Sequence, residues 1–289
     1  MFKNTVKTTV LLAAIAGLLV FVGSLFGPRG TIIGLGLGLV AVGFSYWFSD
    51  RLAIAAAGAT EVSAAQAPQL HATVAELAQR AGIPMPRVYV SPSAQPNAFA
   101  TGRSPRHAAV CVTRGLLDVL DPAEVKGVLA HELGHVKHRD ILIGSVAAAV
   151  ATGIQALAQM AMFASLFGGG GGNDRDREGN AFTMLLLALL APMAAGLLQM
   201  ALSRSREYEA DRAGAELCGD ARPLASALRK IEAYARQVPM DVPPAQASAY
   251  IVNPLTGRQV NFARLFTTHP ATDERIARLE AMQPRLSRA

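Results

Sequence analysis

Four long stretches of the chain, residues 8–28, 30–49, 141–167 and 181–203, contain no Asp, Glu, Lys or Arg. Each is about the length a helix needs to cross a hydrocarbon core, where every backbone polar group must be satisfied within the segment. Four hydrophobic helices are therefore expected, with the third and fourth either crossing fully or dipping in and returning as a re-entrant pair. The first two read as a retained hairpin turning at Phe26-Gly27-Pro28-Arg29-Gly30, because a second apolar run follows at once where a cleaved leader would leave a polar start. Tyr46 and Trp47 fall near the end of the second run, as interfacial aromatics do. Between the third and fourth runs, residues 168–180 carry five successive glycines and then Asn173-Asp174-Arg175-Asp176-Arg177-Glu178, a flexible polar loop.

Elsewhere the pattern shifts to that of half-buried elements. Leu70, Val74, Leu77 and Ala78 recur at helical spacing over 69–81, and Gly82 with Pro84 and Pro86 ends the run. Arg87-Val88-Tyr89-Val90-Ser91 alternates as a strand does, Ala108-Ala109-Val110-Cys111-Val112-Thr113 is a second β-rich run, and Pro96 to Gly102 lies between them. Over 121–138 a helix is signalled at its start: Asp121 can cap it, Pro122 suits the first position, and Glu124 completes a capping box. Further helices are expected from Ser203 through Leu217, over 221–238 with Leu224, Leu228, Ile231 and Tyr234 on one face, and over 272–282 with Asp273 and Glu274 in the first turn. The expected organisation is an N-terminal hairpin (1–50), a first soluble block (51–140), a second hydrophobic pair (141–203) and a second soluble block (204–289). The fold class is α+β and mostly helical, a small β-sheet combined with four hydrophobic helices.

Chemistry enters at His131-Glu132-Leu133-Gly134-His135. At about 100° per residue the two imidazoles lie one turn apart on one helix face with Glu132 beside them. They can close on one metal ion, and the carboxylate can take a proton from a water held there, which is the physical content of the H-E-x-x-H pattern of zinc peptidases. Catalytic zinc takes three protein ligands and leaves a fourth position open, so a third ligand must come from elsewhere. Glu207 and Asp211 share a helix face one turn apart, and one can ligate while the other accepts a hydrogen bond from a ligand imidazole. Glu209 on the same helix and His138 on the first are the rival ligands. Arg275 either anchors this neighbourhood through a carboxylate or lies on a solvated face. His71 and His107 read as ordinary surface or edge residues.

Composition then excludes some classes. A hydrophobic fraction of 51% with mean hydropathy +0.29 exceeds that of a typical soluble domain and points to a lipid bilayer as one partner. The net charge of +6 is spread along the chain with few aromatics among the cations, so nucleic acid is not expected as a partner. Lys3, Lys7, Arg51, Lys137, Arg139, Arg204 and Arg206 fall on one side of the expected spans and only Arg29, Arg175 and Arg177 on the other. By the positive-inside rule both termini and the H-E-x-x-H helix face the cytoplasm, in a multi-pass protein of a bacterial-type plasma membrane. Cys111 and Cys218 match no metal or redox spacing and read as free thiols in a reducing compartment. Gly34 and Gly38 permit close helix approach, which leaves a homo-oligomer open.

His131-Glu132-Leu133-Gly134-His135 followed by Ser203-Arg204-Ser205-Arg206-Glu207-Tyr208-Glu209-Ala210-Asp211 resembles the HtpX-type membrane zinc endopeptidases, relatives of the CAAX-prenyl proteases. The resemblance extends to the paired hydrophobic runs, Pro96-Asn97-Ala98-Phe99-Ala100-Thr101-Gly102, Thr268-His269-Pro270 and Arg275-Ile276. It implies a zincin-like metalloprotease domain holding one Zn2+ through His131, His135 and Glu207, with Glu132 as general base and Asp211 as supporting carboxylate. It further implies that Asn97, Ala98, Phe99, Ala100 and Thr101 form an edge strand against which extended polypeptide substrates bind. His269 is implied as a stabiliser of the oxyanion, the structural alternative being that it simply leads into the 272–282 helix. The function implied is hydrolysis of misfolded or damaged membrane proteins on the cytoplasmic face, in quality control under stress. Two other readings stand beside it: an intramembrane site-2-type protease, and a non-catalytic scaffold whose zinc only ties helices together.

Overall fold

The computed structural model describes residues 27–142, 204–238 and 270–286, with positions 13, 17, 20 and 251. The ordered elements are α1 (Gly27–Ala56), β1 (Thr60–Glu61), α2 (Pro68–Ala81), β2 (Arg87–Ser91), β3 (Ala98–Gly102), a 3-10 turn (Pro105–His107), β4 (Ala108–Thr113), α3 (Arg114–Val119), α4 (Pro122–His138), α5 (Arg204–Cys218), α6 (Arg222–Gln237) and α7 (Thr272–Leu286).

The strands form one mixed sheet in the order β1-β2-β4-β3. β2 and β4 run parallel with Val88 opposite Val110 and Val90 opposite Val112, while β3 runs antiparallel to β4 with Ala98 opposite Val112 and Ala100 opposite Val110. Among the described residues β3 therefore has a strand neighbour on one side only, β4. Alternation along the strands divides the sheet's faces. Val88, Val110 and Val112 join the main core, whereas Tyr89 and Cys111 pack with Ile54 of α1 on the opposite side. The main core is completed by Val74 and Leu77 of α2, Leu129 and Leu133 of α4, Leu228 and Ile231 of α6, and Leu279 of α7. Helix α4 is therefore central, packed by α2, α5 and α6 and lying against β3.

The start of α4 follows its sequence signal. Asp121 Oδ1 accepts from the Ala123 and Glu124 amides at 3.0 Å each, and the Asp121 amide donates to Glu124 Oε2 at 2.9 Å, closing the capping box. Glu124 is itself buried; Lys230 Nζ pairs with its charge at 2.7 Å and Ser226 Oγ donates a hydrogen bond to it at 2.6 Å, which bolts α6 to the helix start. Small residues let α4 and α5 meet closely: a Cβ on Gly214 would stand 2.8 Å from the His131 amide nitrogen, so no side chain fits there without parting the helices.

Several expectations change. Of the turn expected at Phe26 to Gly30, Gly27 through Gly30 belong instead to the start of α1. Pro28 lies in the first turn of that helix, where a missing N–H costs nothing. The helix then runs on past residue 50 to Ala56, with the buried Asp50 carboxylate satisfied by Arg87 at 2.7 Å. Two short elements, β1 and α3, carry no sequence pattern long enough to be read. Most of 8–28, the runs 143–167 and 181–203, the glycine loop 168–180, His269 and the 239–258 segment apart from Ile251 lie outside the described residues. Among the described residues no helix qualifies as long and apolar enough to cross a membrane. Even so, α1 is 30 residues long and exposes Ile32, Leu39, Val40, Phe44 and Trp47.

Candidate metal centre

His131 and His135 project from α4 on one face, their rings edge to face at 88° with centroids 4.8 Å apart. Their Nε2 atoms lie 3.3 Å from each other. Glu207 of α5 completes a triangle, Oε2 at 3.8 Å from His131 Nε2 and Oε1 at 3.7 Å from His135 Nε2. Two ligands about 2.0–2.1 Å from a tetrahedral zinc ion are separated by roughly 3.3 Å, so two imidazole nitrogens and a carboxylate at these spacings fit that ion. These three are the one group of convergent metal-binding side chains among the described residues. The rivals do not join it: Glu209 points to solvent, and His138 lies at the end of α4 away from the triangle.

Carboxylates behind the imidazoles fix their orientation. Asp211 Oδ1 is 2.9 Å from His131 Nδ1, within reach although the ring is not turned for a straight hydrogen bond. Arg275, fully buried, grips Asp211 with both forks of its guanidinium, Nε to Oδ2 at 2.8 Å and Nη2 to Oδ1 at 2.7 Å. Burial works to raise the Asp211 carboxyl, but the guanidinium and His131 outweigh it and hold the carboxyl below the usual aspartate range. Arg275 thus belongs to the anchored alternative left open by the sequence. Its Nη1 donates to the Ile251 carbonyl at 2.9 Å, and the Ile251 amide donates to Asn97 Oδ1 at 3.1 Å. One continuous set of bonds therefore links the support of His131 to the start of β3.

Asp140, which sequence reasoning missed, does for His135 what Asp211 does for His131. Arg139 adopts a left-handed conformation at φ 59° and turns the chain, so that Asp140 Oδ2 comes back to 3.1 Å from His135 Nδ1. The available hint was an acid directly after a helix C-terminus, where the helix dipole disfavours it unless a partner is waiting. Burial alone would depress the His135 imidazole, but the Asp140 hydrogen bond, with Glu207 and Glu132 nearby, raises it to about 9. Without metal it therefore carries a proton at pH 7, and a metal ligand must shed that proton. Uptake of zinc at pH 7 is expected to release about one proton from His135, with affinity rising about tenfold per pH unit up to about pH 9. Calorimetry in buffers of different ionisation enthalpy measures the proton count, which should fall in Asp140→Asn.

Glu132 stands beside the triangle and against the edge strand. Its Oε2 accepts the Ala100 amide of β3 at 2.9 Å, so at Ala100 the strand turns its N–H away from β4 and toward the site. Burial raises the Glu132 carboxyl, with both imidazoles pulling the other way. Of the predicted substrate segment, Ala100 thus reaches the site directly. Asn97 ties the strand to Ile251 and receives the Ala98-side hairpin through Thr113, whose Oγ1 accepts the Asn97 amide at 2.9 Å, while Phe99 packs on the Tyr89 face. Ala98 and Thr101 are buried. His71 accepts a structural role, its Nε2 2.7 Å from the Val62 carbonyl. Cys111 and Cys218 are free thiols, and burial pushes the Cys111 thiol up to about 12, far from reactive thiolate.

Comparison with known proteins places this geometry. The model of peptidase family M48 matches residues 64–283. The chain is 49% identical over 285 residues to the protease HtpX homolog of Desulfatibacillum aliphaticivorans, covering 97% of this chain and 90% of that one. It is 51% identical over 286 residues to the protease HtpX homolog of Burkholderia mallei strain SAVP1, covering 96% and 97%. The crystal structure of S. mikatae Ste24p superposes with a TM-score of 0.52 at 18% identity, over 96% of this chain and 66% of that longer one, which supports the fold. With a family match across most of its length and relatives identical at half their positions, the chain belongs to peptidase family M48 and is a metalloprotease.

Proposed function

We propose that the protein is a membrane-bound zinc endopeptidase that cuts misfolded or damaged membrane proteins at the cytoplasmic face. The observation that carries this reading is the juxtaposition of three elements: the His131, His135 and Glu207 triangle, the Glu132 carboxylate beside it, and the edge of β3 at Ala100. Bound by the triangle, zinc would supply a Lewis acid and lower the pKa of a water toward about 7. The chain's own residues do the rest. An extended polypeptide adds along the side of β3 that faces away from β4 through backbone hydrogen bonds, which recognise any sequence and suit substrates that share only an unfolded segment. Glu132 takes the proton from the attacking water and returns it to the leaving amine. Asp211 and Asp140 keep both imidazoles turned toward the metal, and Arg275 holds Asp211 charged.

Attachment to a bilayer is supported by α1, whose exposed Ile32, Leu39, Val40 and Phe44 have no protein partner to cover them among the described residues, and by the four uncharged runs. The excess of Lys and Arg on one side of those runs supports the cytoplasmic placement. His269 remains part of this reading as a donor to the oxyanion. The scaffold alternative is disfavoured because a purely structural zinc site has no use for a carboxylate poised beside it and bonded to the β3 backbone at Ala100.

The test is hydrolysis of unfolded casein by the full chain in detergent. Removing metal with a chelator should abolish cleavage, and stoichiometric zinc should restore it. Protein that holds zinc yet cuts neither casein nor an unfolded membrane protein would instead be the scaffold.

A further inference from the structure

A cavity of roughly 530 Å³ opens between the C-terminal part of α1 and the sheet, and it shares no residue with the metal centre. Its wall brings together Arg51, Arg87, Arg103 and Arg106 with Trp47 and Phe48. Arg87 is already engaged, donating to Asp50 Oδ2 at 2.7 Å and to the Tyr89 hydroxyl at 2.9 Å. The other three guanidinium groups have no carboxylate within ion-pair distance among the described residues, and the Asp50 carboxylate in the wall is the one Arg87 neutralises. Arg51 stacks over Phe48 at 5.5 Å and Arg103 over Trp47 at 4.7 Å, contacts that hold the cations in place and leave their N–H forks available.

The loop that carries Arg103 and Arg106 is rigidly built. Gly102, at φ 132°, passes so close to His107 that a Cβ would lie 2.1 Å from its carbonyl oxygen, and Ser104 Oγ sits 3.0 Å from His107 Nδ1. Along α1, toward its N-terminus from Trp47, the exposed large hydrophobic side chains among the described residues are Phe44, Val40, Leu39, Leu35 and Ile32. The cavity therefore lies where an apolar helix surface ends in an aromatic residue and a cluster of unpaired arginines begins. That succession matches the chemistry of a lipid: acyl chains along the helix, then a headgroup phosphate at the cations. Guanidinium forks match phosphate oxygens in pairs, and an excess of cations favours a headgroup with net negative charge.

We propose that this cavity binds the phosphate of an anionic phospholipid headgroup, docking the protease domain on the bilayer surface. The assignment rests on the reading of α1 as a membrane helix. Trp47 is the only tryptophan of the chain, so its fluorescence reports on this cavity alone. The full chain in nonionic detergent is titrated with dihexanoyl phosphatidylglycerol, with dihexanoyl phosphatidylcholine and with inorganic phosphate. A saturable change with the anionic lipid, at least tenfold tighter than with the zwitterionic one and weakened at least tenfold in Arg103→Gln/Arg106→Gln with zinc content unchanged, is the expected result. If the double variant does not fold, the exposed Arg106→Gln alone must still weaken the anionic titration. Equal response to both lipids, or none, overturns the site, and an equal response to inorganic phosphate overturns the lipid assignment in favour of a free-anion site. Carbonate extraction of cell membranes tests the other premise separately: release of the chain into the soluble fraction would sink the membrane reading whatever the titrations give.

Discussion

Glu132→Gln is expected to lower casein hydrolysis by about 10²–10⁴-fold while leaving the zinc content of the purified protein unchanged. The substitution is nearly isosteric, and the amide oxygen can still accept the Ala100 N–H that the carboxylate accepts at 2.9 Å. What disappears is the capacity to take a proton from water and pass it to the leaving nitrogen. None of the metal-binding atoms is touched, since the triangle is drawn from His131, His135 and Glu207. Stability should hold or rise, because burial already disfavours the charged carboxylate there. Cleavage assayed together with metal analysis separates the outcomes. Activity and zinc lost together would make Glu132 a structural residue of the metal site, and full activity with zinc retained would place the base elsewhere. Glu132→Asp is the companion: it keeps the base but draws it back by one methylene from Ala100, so a large loss there shows that position counts as well as proton affinity.

How much of this centre could be read from the sequence depended on how far apart its parts lie along the chain. Helix α4 was legible because its evidence is local: the cap Asp121 directly precedes the 17-residue helix, and Glu124 and the candidate ligands His131 and His135 lie within it. β2 and β4 fell at the predicted residues for the same reason, their alternation being internal to each strand. Helical spacing puts Glu207 and Asp211 on one face and leaves the choice between them as ligand to the family resemblance, because the meeting of α4 and α5 across Gly214 is encoded by no local pattern. The longest links were the least visible. Arg275 meets Asp211 across 64 positions and Ile251 across 24, and Ile251 meets Asn97 across 154, so their pairing is a property of the fold alone. Asp140 is close in sequence yet was missed, because its return to His135 depends on a left-handed Arg139 that a non-glycine residue rarely adopts. β1, two residues long, exists only because Thr60 and Glu61 find β2 beside them.

Arg275→Met should be the most destabilising single change outside the hydrophobic core, by about 3–5 kcal/mol, since it leaves the buried Asp211 carboxylate with no compensating cation. Because the Asp211 pKa in the folded protein lies below its usual value, the stability it contributes is fully present above about pH 4 and is lost as the pH falls through the depressed value. Arg275→Met should therefore unfold more readily at neutral pH and show a shallower further loss on acidification, measured as urea unfolding of the metal-free protein across pH. Adding Asp211→Asn removes the orphaned charge, so the double variant should regain much of the lost stability. Zinc binding should not follow. With Asp211 gone, His131 Nδ1 loses the carboxylate that orients it, and affinity should remain about 10–100-fold weaker in the double variant, as read by competition with a chelating dye. Recovery of stability without recovery of zinc affinity is the result that separates the two duties of this pair. Recovery of both would mean that His131 is held in place by its packing alone, between α4 and the close-set Gly214 of α5.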